Sequence, residues 1–220
     1  MADEHPIRDS AIDVLGGTPK TFERAPVDPA VLVLPAPMAR RIREFDASVD
    51  RWFDQLRGNH VADRVLYGAS AVGDFSLIWH IAGVARALGG RHEERESLRL
   101  AVALGAESAL INGVVKSWFR RTRPDHQPHQ LRKLRRPKTS SFPSGHATSA
   151  FMAATLLGSG RRPTTKAAWY GVATLVAASR IHVKIHHASD VVAGAAIGVG
   201  MGAAVKKLWP LGNARTRRGY

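Results

Sequence analysis

The sequence predicts an all-α protein, a membrane helical bundle of about five to six helices. First, no stretch alternates apolar and polar residues as a half-buried strand would. Second, several apolar segments are long enough for helices and are bounded by glycine, proline or charged residues. Third, Gly194, Gly198 and Gly202 recur at four-residue steps, a small-residue stripe that allows close helix packing in lipid.

Two segments precede the predicted bundle. Residues 1–36 are rich in proline and carry scattered charges, which predicts a flexible leader. Residues 37–57 place apolar side chains at three- and four-residue steps from Met38 to Leu56, with arginine and aspartate on the other face. This pattern predicts an amphipathic interfacial helix in which Trp52 and Phe53 dip into the membrane, and a surface helix packed on the domain is the alternative.

The bundle itself is predicted to span residues 58–210, followed by a basic tail at 211–220. The segment Val61–Val72 carries charge and is too short to span a membrane on its own. A basic, proline-containing loop is expected at residues 120–141. Apolar helices are expected over residues 75–88, 98–119, 144–157, 165–181 and 188–208.

The apolar runs are borderline for membrane spans. The uncharged stretches at 147–160, 167–179 and 191–205 are each shorter than the roughly 18 residues that define a span. Terminal lysine and arginine side chains can snorkel, which extends these helices to about 20 residues. The prediction is a multi-pass membrane protein, with a soluble helical bundle as the alternative.

The composition narrows the function. The chain has 220 residues, a length typical of one domain, and a net charge of +14. That charge implies an anionic partner: nucleic acid, an anionic membrane surface or a phosphorylated substrate. The absence of cysteine excludes disulfide scaffolds, thiol nucleophiles and thiolate metal sites. The N-terminus lacks the basic head and apolar run of a secretory signal.

One stretch, Thr139 to Thr148, combines the features of a phosphate site. A Pro-Ser-Gly turn ends in His146 and leads into an apolar run, so a helix should begin there. The free N–H groups of a helix start bind anions, Gly145 permits close approach, and Ser144 adds a hydroxyl donor. His146 can hold or deliver a proton beside that anion.

Two further clusters of charged residues fall at predicted helix ends. The first runs from Lys116 to Pro124, and the second from Ser179 to Asp190. If the four helices from residue 98 onward run up and down in turn, both clusters meet the His146 stretch at one end of the bundle. Lys116, Arg123 and Arg180 then suit a phosphoryl group, whose charge spreads over its oxygens during transfer.

The remaining residues divide the catalytic work. Of the two histidines, His146 and His186, one can attack phosphorus while the other protonates the leaving oxygen. Asp190 follows His186 by four residues and can orient its imidazole. A site filled with fixed cations would repel a metal ion, so no cofactor is expected.

The three clusters together resemble a known signature. They fit Lys-x6-Arg-Pro, Pro-Ser-Gly-His and Ser-Arg-x5-His-x3-Asp, in that order. This set is similar to that of the type 2 phosphatidic acid phosphatase superfamily, which also includes vanadium haloperoxidases, and it covers about residues 60–208. The resemblance implies a metal-independent enzyme in which His186 is the nucleophile, Asp190 its orienting partner and His146 the general acid. It also implies the phosphate-binding residues Lys116, Arg123, Ser144, Gly145 and Arg180.

The function expected from this resemblance is hydrolysis of a lipid phosphate or polyprenyl diphosphate through a phosphohistidine. Candidate substrates are phosphatidic acid, phosphatidylglycerol phosphate and polyprenyl diphosphate. A soluble acid phosphatase or vanadate-dependent haloperoxidase is the alternative. Nucleic-acid binding is not expected, because the basic loop lacks interleaved aromatic residues. Basic residues lie somewhat more on the end opposite the motifs, which predicts an extracytoplasmic catalytic face.

Overall fold

Helices form all the regular structure in the computed structural model, which describes residues 34–125 and 139–211. Within those ranges no strand occurs, so the all-α prediction is confirmed. The predicted leader up to residue 33, residues 126–138 of the basic loop and the tail from residue 212 lie outside the described residues. The α-helices longer than ten residues are α1 (Ala36–Asp54), α2 (His60–Val72), α3 (Leu77–Ala87), α4 (Arg91–Ser108), α5 (Gly145–Leu157), α6 (Pro163–His182) and α7 (Ala188–Leu208).

Helix α1 has two adjacent stripes with a seven-residue spacing, which is close to two helical turns. The inner stripe, Ala39, Asp46 and Phe53, is buried against the bundle. The outer stripe is exposed and consists of Met38, Phe45 and Trp52. The helix therefore packs on the domain through one face and leaves an apolar stripe uncovered beside it. The prediction that Phe53 dips into a membrane together with Trp52 is wrong, because Phe53 packs in the core of the bundle. The location of the helix in a membrane interface stays a prediction.

Helices α2 and α3 form a bent pair. Asn59 begins α2, where its side-chain oxygen accepts hydrogen bonds from the N–H groups of Val61 and Ala62 at 3.0 and 3.1 Å. A 3₁₀ turn, Asp74–Ser76, then redirects the chain by 63° into α3. Because the two helices are long and apolar enough together to cross a membrane, the segment at 61–72 forms half of a candidate broken span.

Helix α4 begins seven residues earlier than the sequence predicts, at Arg91 instead of residue 98. Glu93 and Glu94 lie in its first turn, where acidic side chains favour the positive end of the helix dipole. The Ser97 hydroxyl donates to the Gly83 carbonyl of α3 at 2.7 Å, which joins the polar first part of α4 to α3. The helix then continues through a π-helical segment, Ala109–Val115, to end at Trp118.

Helix α5 occupies the centre of the bundle. Ten of its thirteen residues are buried, and most of these are alanine, serine or threonine. The glycine stripe of α7 lies directly on it: a Cβ added at Gly198 would come within 2.2 Å of the Thr148 carbonyl oxygen. The predicted stripe therefore permits contact between two helices of this chain, α5 and α7.

Two helices can cross a membrane by length and composition, Arg91–Trp118 and Ala188–Leu208, and the bent α2–α3 pair is a third candidate. Only 33% of the apolar window in each of the two single helices is buried inside the molecule. Several other apolar side chains of these helices, among them Val102, Val114 and Val199, are exposed, as expected where lipid is the solvent.

Candidate active site

The end of α4 meets the start of α5. Lys116, the lysine of the signature, is buried, and a Cβ added at Gly145 would lie 3.7 Å from its Nζ atom. The π-helical turn just before Lys116 changes the register of α4, and such turns are common at functional sites. The sequence carries no signal for this turn. Its result is an ammonium group beside the first N–H groups of α5.

The turn between α6 and α7 folds back on Arg180. The backbone N–H groups of Ile185 and His186 both donate to the Arg180 carbonyl at 3.1 Å. Lys184 adopts a left-handed conformation (φ 51°) to allow this turn. Two signature residues six positions apart, Arg180 and His186, are thereby brought together.

The starts of α5 and α7 are joined by a backbone hydrogen bond from Ser144 N–H to the Asp190 carbonyl at 3.1 Å. Ser144 is fully buried as the N-cap of α5. His146 and His186 therefore belong to the same end of the bundle. This agrees with the convergence that the sequence predicts.

His186 lies between a cation and a carboxylate. Its Nε2 atom is 3.3 Å from Arg123 Nη1, and its Nδ1 atom is 3.7 Å from Asp190 Oδ2. The second distance exceeds a hydrogen bond, a common feature of catalytic pairs without bound substrate. Arg123 is held in place because its Nη1 also donates to the Ile185 carbonyl at 2.9 Å. The Nε2 face of the imidazole thus points to the cation side of the site.

His146 has a partner that the sequence analysis missed. Its Nε2 atom is 2.8 Å from Asp74 Oδ1, in the 3₁₀ turn between α2 and α3. The same carboxylate oxygen is 3.8 Å from Arg180 Nη1, which also donates to the Ser70 hydroxyl. Asp74 therefore links the predicted general acid to Arg180, a predicted phosphate-binding cation. No local pattern marks it, because it follows Gly73 in what reads as an ordinary turn.

Burial determines the protonation state of His186. The side chain is enclosed, which disfavours the charged imidazolium, and the nearby Arg123 acts in the same direction. The pKa falls to about 3, although Asp190 opposes the change. The imidazole is therefore neutral near pH 7, as a nucleophile must be.

This pKa shift predicts a pH-dependent stability. Below about pH 6.5 the unfolded chain protonates His186 and the folded chain does not until the pH approaches 3, so stability falls as the pH falls through that window. One such proton is worth about 1.4 kcal/mol for each pH unit. Between pH 7 and pH 5 we expect the free energy of unfolding of the wild type, measured by thermal unfolding, to fall by on the order of 1–2 kcal/mol more than that of His186→Asn. Equal pH dependence in the two proteins would contradict the assignment.

The assembled site favours an oxyanion. Lys116, Arg123 and Arg180 supply three fixed cations, and the first turn of α5 adds backbone N–H groups. Over the described parts of the chain, no three histidine or acidic side chains are grouped as metal ligands. The neighbouring His182 lies apart from this set, since it is buried against Asp63, with Nε2 and Oδ1 2.7 Å apart.

Known proteins resemble this chain in sequence and in fold. The family model of the PAP2 superfamily matches residues 96–213. A decaprenylphosphoryl-5-phosphoribose phosphatase from Mycobacterium tuberculosis is 36% identical over 138 residues, which are 63% of this chain and 75% of the relative.

Two solved structures resemble the fold. LpxE from Aquifex aeolicus superposes with a TM-score of 0.59 at 25% identity, covering 73% of this chain and 94% of that chain. A transmembrane PAP2-type phosphatidylglycerolphosphate phosphatase from Bacillus subtilis superposes with a TM-score of 0.60 at 22% identity, covering 81% and 89%. With its apolar helices, this fold is that of a membrane protein. The match of the family model over most of the bundle leads to one conclusion: the chain belongs to the PAP2 superfamily.

Proposed function

We propose that this PAP2-family phosphatase hydrolyses a phosphate or diphosphate group carried by a membrane lipid, through a phosphohistidine at His186. The observation that carries the proposal is the meeting of the predicted nucleophile with a predicted phosphate-binding cation, His186 Nε2 and Arg123 Nη1, at 3.3 Å. An oxyanion bound by Arg123 lies within reach of the neutral imidazole.

In the first step, the lone pair of His186 Nε2 attacks phosphorus on the side opposite the leaving oxygen. Burial and the nearby Arg180 lower the pKa of His146 to about 4 in the empty site, so His146 takes up its proton as the anionic phosphate binds beside it. The P–N bond forms as the P–O bond to the lipid breaks, and His146 donates that proton to the departing oxygen. Lys116, Arg123 and Arg180 neutralise the charge on the three phosphoryl oxygens. Asp190 stabilises the positive charge that develops on His186.

In the second step, water hydrolyses the phosphohistidine. His146, now neutral, accepts a proton from the attacking water as its oxygen bonds to phosphorus. The P–N bond breaks, and its electron pair returns to His186 Nε2. Inorganic phosphate leaves, and both histidines regain their starting protonation states.

We propose that the reaction is metal-independent. In this site the three cations take the place that divalent ions hold in other phosphoryl-transfer enzymes, where they bridge and neutralise phosphate oxygens. The same cations would repel a divalent ion from the phosphate position.

The substrate class is proposed from the site and the relatives together. The relative from M. tuberculosis is named for a phosphate on a polyprenyl-linked sugar. A site on a membrane-embedded bundle fits substrates of the same kind, a polar phosphate on an apolar anchor. Phosphatidic acid, phosphatidylglycerol phosphate, polyprenyl diphosphate and polyprenyl-linked phosphosugars share that chemistry.

We propose that the protein crosses the cell membrane several times, with its catalytic end outside the cytoplasm. Trp118 supports a membrane boundary at this end, since it closes the span Arg91–Trp118 and its side chain is 75% exposed. The interfacial position proposed for α1 fits its uncovered stripe of Met38, Phe45 and Trp52.

Phosphate release from a panel of purified lipid phosphates, with EDTA present, tests the proposal. We expect turnover of at least one lipid monophosphate or diphosphate in detergent or liposomes, and no loss on chelation. Soluble phosphomonoesters and vanadate-dependent halide oxidation serve as the competing assays. Activity confined to either of those, or abolished by EDTA, would overturn the proposal.

A further inference from the structure

Arg121 lies between the two signature cations Lys116 and Arg123, but it does not belong to the signature. Its side chain is buried, with 7% exposure, and its guanidinium joins two acidic residues. Nη1 donates to Asp190 Oδ1 at 2.6 Å, and Nη2 donates to Asp46 Oδ2 at 2.7 Å. Arg121 therefore connects the predicted catalytic carboxylate to helix α1.

Asp46 binds the first turn of α7 directly as well. Its Oδ1 atom accepts from the Ser189 N–H at 2.7 Å, and its Oδ2 atom accepts from the Ser189 hydroxyl at 2.8 Å. That hydroxyl also accepts from Arg121 Nη1 at 2.7 Å. Asp46 is buried, although it sits on an otherwise charged, amphipathic helix. Helix α1 is outside the part of the chain that the family model matches, residues 96–213.

We propose that Arg121 and Asp46 are positioning residues that hold Asp190, and through it His186, in the geometry for attack. This inference rests on the proposed role of His186 as nucleophile. It makes α1 a part of the active site, although the catalytic residues all come from the helices after it.

The charges explain why both residues are needed. Asp190 has no solvent exposure, so its carboxylate must be satisfied within the protein. Arg121 holds Oδ1, and the backbone N–H of His187 holds Oδ2 at 3.0 Å. The carboxylate plane is thereby fixed with Oδ2 toward His186 Nδ1. Asp46 balances the charge of the second half of the guanidinium, so that an uncompensated arginine does not cancel the attraction of Asp190 for the positive charge that develops on His186.

The test compares Asp46→Asn, Arg121→Met and Arg121→Lys with the wild type, using the lipid phosphate that the substrate panel identifies. We expect Asp46→Asn to lower kcat about 10-fold and Arg121→Met about 100-fold, the same range as the losses caused by removing residues that orient the ligands of catalytic metals. KM should change less than kcat, because Arg121 donates to Asp190 and Asp46 accepts from Ser189, so that both act on the position of Asp190. Arg121→Lys should have a higher kcat than Arg121→Met, since lysine restores the positive charge but not the planar guanidinium that donates to both carboxylates.

Glu44→Gln is the matched control. Glu44 is an acidic residue of the same helix, and it pairs with Arg40 at 2.7 Å on the exposed face of α1. We expect it to leave kcat within about twofold of wild type. Thermal unfolding of each variant separates a loss of fold from a loss of turnover.

A double-mutant comparison separates positioning from general stabilisation. If Asp46 acts through Asp190, then Asp46→Asn should cause no further loss of kcat in an Asp190→Asn background. If Asp46→Asn lowers kcat by the same factor in both backgrounds, or leaves kcat at the wild-type value, the inference is overturned. Should Arg121→Met fail to fold, Asp46→Asn still decides the matter. A wild type with no activity would overturn the proposed function and this inference together. If the wild type is active, His186→Ala is inactive and Asp46→Asn has normal activity, this inference alone is overturned.

Discussion

Replacing His186 with alanine is expected to abolish turnover, with a fall in kcat of at least ~10⁴-fold, because it removes the group proposed to form the covalent bond to phosphorus. The neutral imidazole next to Arg123 is what makes the attack possible, and alanine removes it without filling the space. Steady-state phosphate release measures the loss. Rapid quenching with labelled substrate should trap an acid-labile, alkali-stable phosphoprotein in the wild type and none in the variant.

The adjacent histidine provides the control. His186→Asn and His187→Asn are the same substitution at neighbouring positions, and asparagine can keep the N-cap role that His187 has at the start of α7. We expect the first to be inactive and the second to remain within several-fold of wild type. A phosphoprotein that persists in His186→Asn would place the nucleophile elsewhere.

The catalytic end could be predicted from sequence because its residues sit at helix termini. A Pro-Ser-Gly turn identifies the start of α5 at Gly145, and the His186–Asp190 spacing identifies the turn into α7. Consecutive helices that run in opposite directions then place these termini together. The structure links them as expected, through the hydrogen bond between Ser144 and Asp190.

The groups around the histidines could not be predicted, because their partners lie far away along the chain. Asp74 meets His146 across 72 positions, and Asp46 meets Ser189 across 143. Each aspartate occurs in a locally ordinary setting, one in a turn and the other on a charged helix. Hydropathy patterns show which face of a helix is apolar, but not which buried cation will receive a carboxylate.

The apolar pattern predicted the boundaries of some helices poorly. The residues before 98 are too polar for an apolar-helix pattern, yet α4 includes them from Arg91 because their glutamates suit a helix N-terminus. Similarly, the charge at Asp63 argued against a membrane segment in α2. In the structure its carboxylate is buried against His182, so the charge is satisfied inside the bundle.

His146→Ala should lower kcat/KM for an alkyl lipid phosphate by about 10²–10⁴-fold, the usual contribution of a general acid. An alkoxide is a poor leaving group, so it depends on the proton from His146, whereas the p-nitrophenolate of p-nitrophenyl phosphate leaves without one. For that substrate we expect a loss of roughly tenfold or less. The ratio kcat/KM is the quantity to compare, because it reports only the steps up to phosphoryl transfer to His186. His92→Ala is the control, since His92 lies near the other end of α4 and pairs with Glu96 at 3.5 Å. Equal losses for the two substrates would show that His146 holds the phosphate and does not protonate the leaving group.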